Sequence, residues 1–92
     1  MITVSEAIQL LGKKARDKVT GFVGVVECAS FDLYGCIQVV LKPPVNDKGE
    51  MADGKWFDVN RIEIAPDERV MPMPQFAKPF ADTTGPAEKP RQ

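Results

Sequence analysis

The sequence predicts a small, mainly β fold: a strongly bent sheet or barrel of four to five short strands, followed by an extended proline-rich tail. Three observations predict it. Apolar, β-branched runs separated by turn residues occupy residues 14–64, which is the pattern of short strands in a meander. Helical signals are confined to the first dozen residues. Of the eight prolines, those at 66, 72, 74, 79, 86 and 90 all fall near the C-terminus, where no run of β-branched residues competes with them.

Taken in order, "TVSEAIQLLG" offers Ser5 as an N-cap, Glu6 in the first turn and Gly12 as a stop, with Ala7, Ile8, Leu10 and Leu11 as an apolar side. A helix of two turns needs packing to persist, and a short strand leading into Lys13 is the competing reading. "KARDKV" and "GFVGVVECAS" then read as strands around a turn at Thr20-Gly21. "YGCIQVVLK", residues 34–42, is the next strand, closed by Pro43-Pro44 because proline removes a ladder donor. Residues 45–54 form a polar loop with turn residues at Asn46-Asp47 and Asp53-Gly54.

"KWFDVNRIEI" resumes strand character but changes parity: Phe57 and Val59 share one face, whereas Ile62 and Ile64 have the opposite parity. A one-residue slip would turn a strand over. A bulge or a single 3₁₀ turn at Asn60-Arg61, capped by Asp58 or Asn60, reconciles the two halves. The domain is therefore read as residues 1–65. Residues 66–92 form a tail whose composition cannot bury a core, extended unless a partner orders it.

Twelve basic and thirteen acidic residues give a net charge of -1, unlike the strongly basic balance of a general nucleic-acid binder. There is no histidine and there are only two cysteines, so the commonest general base is absent and a zinc site would need carboxylates. No metal, cofactor or catalytic residue is assigned. Residues 1–10 lack a basic start followed by an apolar run, and no stretch approaches the roughly 20 apolar residues of a membrane span. The expectation is a non-membrane protein of a reducing cytoplasm.

The stretch "DKVTGFVGVV", residues 17–26, holds Gly21 and Gly24 three apart. It lacks the Gly-Lys-Ser/Thr of a phosphate loop, the third glycine of a dinucleotide fingerprint, and the polar centre of a clamp joining two helices. The structural reading remains: Gly21 takes a turn, and Gly24 marks a bend, a bulge or a close backbone approach inside a strand. Phe22, Gly24, Val26 and Cys28 are expected on one face, with Val23, Val25 and Glu27 on the other.

"GKKARDKVTGFVGVV" resembles the opening of KOW-like, SH3-like barrel domains. With "LYGCIQVVLKPPV" and "KWFDVNRIEI", residues 11–65 also resemble a family of small phage and prophage proteins, and "TTGP" (83–86) resembles an element of their tails. The resemblance implies a small barrel, a viral origin and a place in the bacterial host's cytoplasm or in the virion. It transfers no catalytic residue.

Several side chains are candidate contacts. Phe31, Leu33 and Tyr34 crowd an expected hairpin tip, where an exposed aromatic makes a recognition anchor; packing back onto the barrel is the alternative. In the tail, Met71, Met73, Phe76 and Phe80 alternate with prolines, as in a stiff segment that docks on a groove or a sheet edge. Together they suggest a non-enzymatic module that binds a protein partner or a second copy. The alternative is nucleic-acid or nucleotide binding by Lys13, Lys14, Arg16 and Lys18 with an exposed Trp56 as a stacking platform. That reading needs the cations and an aromatic to converge; lysines that merely protect an edge strand compete with it. Trp56 and Phe57 alternate, so one belongs to the core. Asp47, Glu50 and Asp53 lack calcium-loop spacing. Cys28 and Cys36 flank "ASFDLYG" as hairpin partners would, and are expected as buried or half-buried thiols.

Overall fold

The computed structural model describes residues 2–76, the side chains of 66–68 excepted. A short helix, α1 (Val4–Gln9), precedes five strands: β1 (Lys13–Asp17), β2 (Val23–Phe31), β3 (Ile37–Lys42), β4 (Lys55–Asp58) and β5 (Ile62–Arg69). A 3₁₀ turn, Val59–Arg61, joins the last two. The strands form one antiparallel sheet in the order β4-β3-β2-β1-β5, a meander whose last strand returns beside the first.

The helix is capped by Thr3, not by Ser5. Threonine followed three residues later by Glu6 makes a reciprocal capping box: the Thr3 hydroxyl accepts from the Glu6 N–H at 3.1 Å and the Glu6 carboxylate accepts from the Thr3 N–H at 2.8 Å. Two orphan donors are satisfied this way, which a cap at Ser5 would not have achieved. Ala7 and Leu10 bury the apolar side. The Arg69 guanidinium donates to the carbonyls of Gln9 and Leu11 at 2.8 and 2.6 Å, closing the other end.

Leu10, Ala15, Val26, Val39, Leu41, Phe57, Val59 and Ile62 make the core. Ala15 and Asp17 of β1, Gly24 and Val26 of β2, Val39 and Leu41 of β3, and Phe57 of β4 are buried together on one face of the sheet. The parity change after Phe57 and Val59 is absorbed by the 3₁₀ turn, with the Asp58 carboxylate accepting from the Asn60 N–H at 2.8 Å. Ile62 thereby returns to the core opposite Asp17.

A second parity change lies in β2. Val26 pairs with Leu41 and Cys28 with Val40, so Glu27 is an extra residue in that strand. Past the bulge the faces exchange: Ala29 and Phe31 join the side of Gly24 and Val26, and Cys28 leaves it. The expected alternation through Cys28 is thus corrected. Hairpin register also separates the cysteines, because Phe31 pairs with Ile37 and Cys28 with Val40. Both thiols are free and exposed, neither buried nor half-buried. Tyr34-Gly35-Cys36, expected in the third strand, belong to the turn before it.

The glycines behave differently from each other. Gly21 has φ +82° at the β1–β2 turn, and Gly24 lies in a strand against the backbone of Lys42, where a Cβ would come within 2.6–2.9 Å of main-chain atoms. β5 runs on to Arg69, past the expected boundary at residue 65, and the Val70 N–H donates to the Gly12 carbonyl at 2.7 Å. Residues 66–69 therefore belong to the sheet.

Candidate binding surfaces

One ion pair organises the end of the sheet below the turn of β1 and β2. Asp17 is fully buried and receives two hydrogen bonds from the Arg61 guanidinium, at 2.8 and 2.6 Å. Its carboxylate also accepts from the Thr20 hydroxyl at 2.5 Å and the Thr20 N–H at 3.0 Å. The bonds from Arg61, reinforced by those from Thr20, hold the Asp17 carboxyl well below the usual carboxylate range despite its burial. The same pairing raises Arg61. Arg61 lies over the Phe57 ring at 5.3 Å, and Phe57 is tilted against Phe22 at 5.4 Å. Sequence reasoning missed Asp17. The signal that could have found it is Asp-x-x-Thr-Gly, in which an Asp oxygen accepts from the residue three ahead. These contacts tie the β1–β2 turn to the 3₁₀ turn and to β4.

The tip between β2 and β3 is rigid and apolar. The Asp32 carboxylate accepts from the N–H groups of Tyr34 and Cys36 at 3.0 and 2.9 Å, its carbonyl accepts from Gly35, and Gly35 has φ +86°. That turn leaves Leu33 and Tyr34 89% and 85% exposed. Phe31, at the end of β2, is exposed as well.

Beyond the bulge, α1 only partly covers the hairpin. A groove of about 400 Å³ remains, lined by Ile8 of α1, Leu11 just after it, Glu27, Cys28, Ala29 and Phe31 of β2, and Phe76 from the segment after β5. The structure thus brings together two residues that the sequence singled out separately, Phe31 and Phe76. Met71 is exposed and Met73 half-buried. Phe80 and the "TTGP" element lie outside the described residues.

The basic strand stands elsewhere. Arg16 is exposed and pairs with Glu63 across β1 and β5, at 2.9 Å. Lys14 and Arg16 flank a shallow surface groove of about 470 Å³, with Val23, Val25, Pro44 and Glu63 along it. Lys13 is half-buried at the start of β1, and Lys18 is exposed in the following turn. Trp56 is 51% exposed on β4, with β3 and β2 between it and β1, while Phe57 takes the core side. The lysines and Arg16 have no aromatic side chain among the residues that line this groove.

Among the described residues, no group of three or more carboxylates and thiols is placed to hold a metal, and no helix is long and apolar enough to cross a membrane. Comparison with protein-family models, with curated proteins and with solved structures finds no match to this chain.

Proposed function

We propose that this protein is a non-enzymatic protein-binding module whose contact surface combines the β2–β3 tip with the segment that follows β5. The observation that carries the reading is the tip itself. Leu33 and Tyr34 are almost wholly exposed, yet the turn beneath them is fixed by three hydrogen bonds to Asp32. Large apolar side chains standing in water contribute little to the fold, and a fixed backbone beneath them lowers the ordering cost when a partner covers them.

The meander order with β5 beside β1, the 3₁₀ turn before β5 and the bulge in β2 support a small SH3-like barrel as the scaffold. The resemblance of residues 11–65 to small phage and prophage proteins supports a viral setting. Virion assembly and capture of a host factor are the two roles consistent with such a module.

The test compares wild type with a Leu33→Ser, Tyr34→Ser variant and with a truncation after Val70, which leaves β5 whole. Self-association is measured by sedimentation, and partner capture from infected cells by mass spectrometry. The tip variant is expected to lose partner binding at least tenfold while keeping its thermal stability. Unchanged association and capture in both variants would refute the reading.

A further inference from the structure

The chain after β5 is held to the rest of the molecule in an uneven way. At its start the attachment is firm: Arg69 binds two carbonyls at the end of α1, Val70 donates to Gly12, and the Met71 carbonyl lies so close to Gly12 that a Cβ there would stand 2.7 Å from it. From Met71 to Phe76 no hydrogen bond to the described residues follows. Pro72 and Pro74 cannot donate one, and they favour an extended path. At the far end Phe76 reaches the groove between α1 and β2, yet remains 60% exposed, and about 400 Å³ of space stays open beside it.

A tether of this length therefore delivers the ring to an apolar site without filling that site. Ile8, Leu11, Ala29 and Phe31 form its apolar walls, with Cys28 and the Glu27 carboxylate also lining it; such walls suit an aromatic or thioether side chain, and they offer no cation for an acidic ligand. The resident segment, "MPMPQF", has that chemistry and no charge. An identical segment arriving from another molecule is free of the restraint at Arg69 and Val70, so it can seat its phenylalanine further in.

We propose that the groove between α1 and β2 is a docking site for an extended, uncharged segment with a phenylalanine anchor. Residues 71–76 occupy it incompletely in cis, and the same segment of a second copy is the ligand that displaces them. This rests on the reading of the protein as a binding module and names its receptor surface and partner.

The probe is a synthetic peptide of residues 70–76, titrated into the full chain as wild type and as Phe76→Ala. Amide shifts are recorded by NMR, and a peptide with alanine in place of Phe76 serves as control. Phe76→Ala is expected to melt with wild type, because the replaced ring is mostly in water. It should bind the peptide at least fivefold more tightly than wild type does, with shifts gathered at Ile8, Leu11, Ala29 and Phe31, and the control peptide should not bind. Equal affinity for both chains, no binding to Phe76→Ala, or shifts centred away from the groove would each overturn the proposal. The Leu33→Ser, Tyr34→Ser variant keeps these groove walls, so it should still bind the peptide. Failure of the tip reading and failure of the groove reading are thereby distinguishable.

Discussion

Asp17 is buried, charged and fully bonded, and such a carboxylate is stabilising only while its partner is present. Asp17→Ala would leave the Arg61 guanidinium without its carboxylate and release the Thr20 turn, so the melting temperature should fall by on the order of 10 °C, as read by circular dichroism. The acid response follows from the direction of its shift. The folded-state carboxyl titrates below its unfolded value, so the unfolded chain binds the proton first and stability rises with pH between the two values. Its contribution is therefore complete at neutral pH and declines as pH falls below about 4. Melting measured between pH 7 and pH 2 should show wild type losing stability over that acid range, and the difference from Asp17→Ala narrowing. Gly24 carries a different constraint. Its backbone is ordinary strand, but a methyl group would press on the main chain of Lys42, which cannot give way as a side chain does. Gly24→Ala should cost about 1–3 kcal/mol in urea unfolding. Position 24 was legible from sequence as a close approach or bend. The partner of Asp17 was not, because the pair spans 44 residues and nothing local to either residue announces the other.

Among the elements, α1 is the most dependent on others. Six residues cannot hold a helix by propensity, so the Thr3–Glu6 box, the buried Ala7 and the Arg69 cap act together. Arg69→Ala should cost about 1 kcal/mol and speed amide exchange in α1 more than in β2, as hydrogen-exchange NMR would record. Should α1 and β2 respond equally, Arg69 would not be the specific cap. The helix itself was legible because Glu6 and the apolar spacing point to it. Its cap was misplaced by two residues, since the hydroxyl oxygens of Ser5 and Thr3 are equally good acceptors, in type, for the N–H groups of a first turn. Only the spacing to Glu6 separates them. The 3₁₀ turn was legible for a firmer reason: two apolar pairs of opposite parity leave the chain no regular way to bury both. In β2 the corresponding signal is muted, because Cys28, Ala29 and Ser30 are all small and tolerate either side.

For the whole molecule, the basic strand and the hairpin tip lie on different parts of the sheet. The basic strand lies on the groove walled by Val23 and Val25 and is partly neutralised by Glu63. The hairpin tip and the segment after β5 carry exposed apolar side chains of their own, Phe31, Leu33 and Tyr34 in the one and Val70, Met71 and Phe76 in the other. A mainly β fold with an antiparallel sheet of five strands was legible, since hydrophobic patterning encodes it directly. That Phe31 and Phe76 share one groove was not, because it depends on where helix, hairpin and returning chain meet in space. The bulge at Glu27 settles which side of the sheet that groove occupies, and it does so through chain length alone. Ahead of it, even-numbered positions of β2 are answerable to the core; after it, odd-numbered ones are. Drift in this strand is therefore governed by two opposite rules meeting at a single residue. A related chain that has lost or gained one position there would keep almost the same composition while showing its partners a different face.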